Sequence, residues 1–186
     1  MATTDQMSEA AKRNGAGVEL DTRMRVGEAW VAADERETAP VINPATGHAV
    51  AEVPQATEAD AQLALEAARS AQPGWAALTP GERAGYLKRV AQLIHADSER
   101  LARIISLEVG KPIRESRFEV EGWTAGFFEY VSGFARAAHG EILPSDNRGE
   151  EVQLRKVPYG VCVAVTPWNF PSAMPARKVA PALMAG

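Results

Sequence analysis

Hydrophobic positions change period three times along the chain, and each change marks a different kind of element. Met24, Val26 and Trp30 share parity, and Val41-Ile42 follows a charged stretch, the pattern of short strands whose faces differ. Asn43-Pro44-Ala45-Thr46-Gly47 has the composition of a turn and residues 49–53 that of a returning strand, so a small antiparallel ribbon is expected here. From Thr57 the period becomes helical. Thr57-Glu58-Ala59-Asp60 has capping-box spacing, in which the hydroxyl accepts a free N–H while the carboxylate reaches back. The helix it opens carries Ala61, Leu65 and Ala68 on one face and should stop near Ala71, because Gln72-Pro73-Gly74 breaks the hydrogen-bond ladder.

Thr79-Pro80-Gly81-Glu82 opens a second helix with proline at its first position, where a missing N–H costs nothing, and with Ala84, Leu87, Ala91 and Ile94 inward. Ser98 is expected to cap a third helix, with Leu101, Ile104 and Ile105 inward and Gly110 and Pro112 at its end. Ile113, Val120, Trp123, Phe127, Val131 and Phe134 then recur at helical spacing, predicting a long amphipathic helix from 113 to about 138, closed by Gly140. Gly122, Gly126 and Gly133 inside it each cost roughly 1 kcal/mol against alanine, which close approach of another backbone would offset.

The last change of period is to strands. Residues 151–157 alternate, Val152 and Leu154 opposing Gln153 and Arg155, as in a strand with one wet face that invites a partner. After Pro158-Tyr159-Gly160, residues 161–165 are apolar on both faces, as in a central parallel strand with a neighbour on each side. Residues 1–22 are polar and aperiodic and are read as a mobile tail. A parallel sheet needs strand–helix–strand units, yet Ala182-Leu183-Met184-Ala185-Gly186 falls where a helix ends and a next strand should begin. Most of the sheet is therefore expected to be missing, and the polypeptide to be unfinished.

Composition narrows the class without choosing a function. With 186 residues, 46% hydrophobic and 24% charged, the chain can bury one ordinary core. Its net charge of −4 and dispersed basic residues leave no footprint for nucleic acid or an anionic membrane surface. The single cysteine, Cys162, allows no internal disulfide, and no secretory signal or membrane span is seen, so a cytoplasmic setting is expected. No internal repeat is evident.

Candidate chemistry gathers at Pro167-Trp168-Asn169-Phe170-Pro171, which follows the doubly apolar run and precedes a helix that Ser172 could cap. Ligands of open α/β sheets bind beyond the carboxyl ends of strands, so the position suits a site. Two prolines fix the loop, Trp168 offers a broad apolar face, and the Asn169 amide can donate to an oxygen gaining negative charge. A plain alternative stands beside this: Asn169 caps the helix and Trp168 fills the core. Arg177-Lys178 fits an ordinary solvated helix face. Cys162, inside an apolar strand without an adjacent base, is read as a buried structural thiol. His48, His95 and His139 are scattered without metal spacing, and Glu108 is explained by bonding at a helix terminus.

The run from Val-Pro-Tyr-Gly-Val-Cys-Val-Ala-Val-Thr-Pro-Trp-Asn-Phe-Pro to Arg-Lys-Val-Ala-Pro-Ala-Leu-Met-Ala-Gly, residues 157–186, resembles the cofactor strand and following helix of the aldehyde dehydrogenase superfamily. Asn43-Pro44-Ala45-Thr46-Gly47, Glu82-Arg83 and Leu107-Glu108-Val109-Gly110-Lys111-Pro112 resemble further signatures in the same order, so the likeness covers residues 24–186. It implies an α/β fold: the N-terminal part of an aldehyde-dehydrogenase-like fold, with an incomplete Rossmann-like NAD(P)-binding domain at 23–140 and 160–186 and a β oligomerisation arm at 141–159. It implies oxidation of a small aldehyde to a carboxylic acid with NAD or NADP through a cysteine thioester, in a homodimer or homotetramer. Asn169 matches the oxyanion donor, and Thr166, Pro167 and Trp168 with Asn169 match the loop along the dinucleotide. Phe170 and Arg177 fall at substrate positions, Arg177 resembling the lactaldehyde and succinate-semialdehyde branches. The nucleophilic cysteine, the general-base glutamate and a cofactor-gripping lysine segment are expected downstream, so these residues alone should be inactive. A rival expectation is a non-catalytic module that pairs through its helices and the 151–157 strand.

Overall fold

The structure, a computed structural model, describes residues 17–18, 20–137 and 140–186. Most of the expected tail therefore lies outside the described residues, as does His139. Two antiparallel hairpins come first: β1 (Met24–Val26) pairs with β2 (Ala29–Val31), and β3 (Thr38–Ile42) with β4 (Ala49–Pro54), with a bulge at Val41/Ile42. The turn between β3 and β4 is closed by Asn43, whose Oδ1 accepts the Ala45 N–H at 2.9 Å and whose carbonyl accepts the Gly47 N–H at 2.8 Å. Gly47 sits there at φ 72°, left-handed space that glycine enters without strain.

Helix α1 (Glu58–Ala77), α2 (Pro80–Ala96) and α3 (Ser98–Val109) follow. The first begins with the predicted capping box, Thr57 Oγ1 accepting the Asp60 N–H while Asp60 Oδ2 accepts from the Thr57 N–H at 2.7 Å, and at the start of the second Thr79 and Glu82 repeat the arrangement. The third differs. Asp97 precedes α3 without a side-chain cap, and the Ser98 hydroxyl instead donates to Glu121 at 2.9 Å. Gly110 ends α3 at φ 72°, and a Cβ on it would lie 2.7 Å from Pro44 Cγ, so the β3–β4 turn packs directly on this helix end.

The predicted long helix is continuous over residues 113–136 but not uniform. It comprises α4 (Ile113–Phe118), a π-helical segment (Glu119–Ala125), α5 (Gly126–Ser132) and a 3-10 turn (Gly133–Arg136). Buried positions are five apart through the wide segment, Glu119 to Thr124 and Val120 to Ala125, and four apart after it, Phe128 to Ser132. That extra residue per turn changes which side chains face inward. Phe128 is buried, whereas Trp123 and Phe134, expected inward, are 41% and 44% exposed. The helix glycines meet no neighbouring backbone: an added Cβ would find open space at Gly126 and Gly133 and only the Phe118 ring at Gly122.

A hairpin of β5 (Glu141–Pro144) and β6 (Glu151–Leu154) and a final helix α6 (Ala173–Ala185) complete the chain. Ala84, Leu87 and Ala91 of α2, Phe128 of α5, and Ala176, Ala180 and Met184 of α6 form the main core. A second cluster joins Ala102 and Ile105 of α3 to Val120. Small residues on α6 let it approach its neighbours closely.

The proline break predicted at Pro73 does not occur, and a proline inside the last helix does not end it either. Helix α1 continues past Pro73 and α6 past Pro181; each ring faces outward, where the lost backbone bond is exposed to water. Tertiary bonds secure both ends: Trp75 Nε1 donates to the Leu183 carbonyl at 2.8 Å, and Arg83 reaches the carbonyls of Met184 at 3.1 Å and Leu78 at 2.6 Å. On α1 Leu65 turns inward as predicted, whereas Ala61 and Ala68 are exposed and Ala67 takes their place, facing Gly27 of the first hairpin. Among the described residues 161–165 pair with no strand; they run extended and exposed, because the neighbours a doubly apolar strand requires are not in these residues. Cys162 is consequently exposed rather than buried.

Candidate active-site loop

Residues 166–171 link the extended run to α6, and the loop is held from beneath by residues far away in sequence. Phe170 packs on Trp123 with ring centroids 5.0 Å apart, and Lys111 Nζ lies 3.8 Å from the Phe170 centroid, a cation over an aromatic face. The same Nζ donates to the Asn169 backbone carbonyl at 2.9 Å and to Glu119 Oε2 at 2.6 Å. Glu119 is 1% exposed yet fully engaged. Its Oε1 accepts the N–H groups of Ser172 at 3.1 Å and Ala173 at 3.2 Å and the Ser172 hydroxyl at 3.0 Å. A buried carboxylate is tolerated when a cation and several donors surround it, and here the donors include the free N–H groups at the positive end of a helix.

The wide segment makes this placement possible. Thr124 Oγ1 donates to the Glu119 carbonyl at 3.0 Å, satisfying an acceptor there, and touches Ser172 Oγ at 2.7 Å. Glu119, not Asn169 or Ser172, therefore caps α6, and Ser172 makes no side-chain cap of its own. The Asn169 side-chain amide forms no hydrogen bond among the described residues and is exposed, with only its backbone carbonyl pinned. Trp168 is 77% exposed, so it does not fill the core. Both halves of the plain alternative for this loop are removed.

Thr166 is half-buried and Pro167 exposed, and the N–H groups of Thr166 and Trp168 bond to nothing among the described residues. Arg177 and Lys178 lie on the outer face of α6 without an ion pair among the described residues. Phe170, read as a substrate residue, is half-buried and turned toward Trp123 and Lys111. The Cys162 thiol donates to the Gly160 carbonyl at 3.5 Å. No group of three or more metal-type ligands occurs among the described residues.

In the sequence Lys111 stands only within the Leu107–Pro112 motif, and Glu119 in none. Its signal was a carboxylate flanked by Phe118 and Val120 on what periodicity marks as the inward side of a helix, where an unpaired acid is costly.

The resemblance of this loop extends to nearly the whole chain: residues 30–186 match the aldehyde dehydrogenase family, and the chain belongs to that family. It is 42% identical over 161 residues to a glutarate-semialdehyde dehydrogenase of Pseudomonas aeruginosa, covering 87% of this chain and 33% of that one. The solved succinate-semialdehyde dehydrogenase from Burkholderia pseudomallei superposes with a TM-score of 0.85 at 41% identity, over 89% of this chain and 34% of that one. A 3,6-anhydro-L-galactose dehydrogenase solved in complex with NAP gives a TM-score of 0.82 at 39% identity, over 88% and 34% of the two chains. The fold is thus the N-terminal part of the aldehyde dehydrogenase fold, and the chain spans about a third of the length of the curated relatives it matches. No helix among the described residues is long and apolar enough to cross a membrane.

Proposed function

We propose that residues 24–186 form the oxyanion and cofactor wall of an NAD- or NADP-dependent enzyme that oxidises a small aldehyde to a carboxylic acid through a cysteine thioester. The observation that carries this is the state of Asn169: its backbone is pinned by Lys111, α6 is capped by Glu119, and its amide remains free. An amide so held is preorganised to donate to the oxygen that becomes negative when a thiolate adds to an aldehyde carbonyl. The exposed Trp168 ring and the N–H groups of Thr166 and Trp168, unpaired among the described residues, fit a dinucleotide laid along the loop, with Pro167 fixing its course. When bound, that group supplies the hydride acceptor. Phe170, braced by Trp123, offers the substrate side an apolar edge. Arg177, exposed and without an ion pair among the described residues, suits an aldehyde bearing a carboxylate or other polar group, in line with the names of the semialdehyde relatives.

In this reading residues 23–140 and 160–186 belong to the NAD(P)-binding domain, and the outward β5–β6 hairpin at 141–159 is an oligomerisation arm of a homodimer or homotetramer. Its exposed Ile142 and Val152 support that role. The exposed thiol of Cys162 suits a reducing, cytoplasmic setting.

Two measurements test the reading. Asn169→Ala in the full-length enzyme should lower kcat by on the order of 10²–10³, the usual consequence of losing one oxyanion donor; unchanged turnover removes the role. The 186-residue chain alone should form no NADH from NAD and aldehyde, and formation above a vector control would contradict the assignment of nucleophile and base to other residues.

A further inference from the structure

We infer that Lys111 and Glu119 form a clamp that sets the position of Asn169, making both of them positioning residues of the oxyanion site. This inference rests on the reading of Asn169 as an oxyanion donor. Lys111 Nζ touches three things at once: the Glu119 carboxylate at 2.6 Å, the Asn169 carbonyl at 2.9 Å and the face of Phe170 at 3.8 Å. Glu119 joins the same cation to the amides of Ser172, just before α6, and Ala173, its first residue, at 3.1 and 3.2 Å. One ion pair therefore fixes the loop at Asn169 and at its junction with α6, from residues 58 and 53 positions away in sequence.

The arrangement exceeds what stability alone would select. Replacing a buried ion pair with well-packed apolar groups is often neutral or stabilising, so this pair is poorly explained as mere glue. It does supply direction. An ammonium with three donors that bonds a carboxylate and a carbonyl together is held between them, and it resists rotation of the peptide plane that carries the Asn169 carbonyl. The side-chain amide leaves the backbone at Cα, so rotating that plane moves the donor relative to an oxyanion. Displacements of about 1 Å at a reacting centre can cost on the order of a hundredfold in rate.

The 186-residue chain itself gives the first test. Hydrogen exchange of the Ser172 and Ala173 amides should accelerate by about tenfold or more in Lys111→Met and in Glu119→Gln, with part of the protection recovered in Lys111→Arg, which keeps a charged multiple donor. Unchanged exchange in both Lys111→Met and Glu119→Gln overturns the clamp, whatever Asn169 does. Glu119→Gln preserves side-chain shape and serves if Lys111→Met fails to fold, as circular dichroism would reveal.

The full-length enzyme gives the second test, a double-mutant cycle. Lys111→Met should lower kcat by about tenfold to a hundredfold in the wild-type background and have no further effect on kcat in Asn169→Ala. An equal loss in both backgrounds means that Lys111 serves general structure and overturns the inference. If Asn169→Ala alone leaves kcat unchanged while exchange behaves as expected, the oxyanion reading falls and the clamp remains a loop anchor only, so the two failures are separable.

Discussion

Thr79 performs three bonds at the start of α2: its hydroxyl oxygen accepts the Glu82 N–H at 3.3 Å, and its N–H and hydroxyl each donate to Glu82 Oε2 at 2.8 Å. The backbone N–H of Thr79, and next its hydroxyl, hold the Glu82 carboxyl below the usual carboxylate range. Thr79→Ala should destabilise the chain by about 1 kcal/mol, read as a lower urea midpoint with unchanged slope. This cap was legible in the sequence because all of its partners lie within three residues. Glu119 was not, since its meaning depends on Lys111 and on amides at Ser172 and Ala173 that only the folded chain brings near. Asn169 lies between these cases: its residue type announced a donor, but only the folded chain shows that Glu119, and not Asn169, caps α6.

Among the elements, α2 is the centre of the main core. Leu87 is fully buried between α5 and α6, and Leu87→Ala should cost about 2–5 kcal/mol of unfolding free energy, measured by denaturant titration. Helices α3 and α4 are tied differently, at the surface, where Glu99 binds Arg117 at 2.8 Å and Arg103 at 3.0 Å. Hydrogen bonds from Arg117, then Arg103, pull the Glu99 carboxyl down to about 2. A carboxylate depressed in the folded state contributes stability above its unfolded value and loses it as pH falls toward the folded one. The melting temperature should therefore fall between the ordinary carboxylate range and about pH 2, less steeply in Glu99→Gln, and the difference should shrink in high salt because the pair is exposed. Helix existence and most inward faces were readable from periodicity. The continuations past Pro73 and Pro181 were not, because a local rule was outweighed by bonds from Trp75 and Arg83 to distant carbonyls.

For the whole molecule, the unpaired run at 161–165 is the dominant feature. Val163 and Val165 are each 82% exposed, beside unfilled backbone positions that can accept another strand. The 186-residue chain should self-associate, and Val163→Lys with Val165→Lys should shift it toward monomer in sedimentation velocity; identical profiles would refute this. The sequence pattern reads this run as a central strand, and among the described residues no strand pairs with it. It did not reveal where the side chains then go, which is why a buried Cys162 was expected and an exposed one found.

The π-helical segment has a consequence for how this region can change. Glu119 and Phe128 both serve α6, one at its start and one along its side, yet nine residues at roughly 100° apiece would set them on opposite sides of a regular helix. The one extra residue reconciles the two duties. Gly122 is exposed and packs only under the Phe118 ring, so by contact it looks dispensable. Deleting it would close the helix to ordinary pitch and force a choice: keep the carboxylate beneath the loop and swing Phe128 out of the core, or keep the core and lose the cap. Single-residue deletions between 119 and 125 should thus be far less tolerated than substitutions at the same exposed positions.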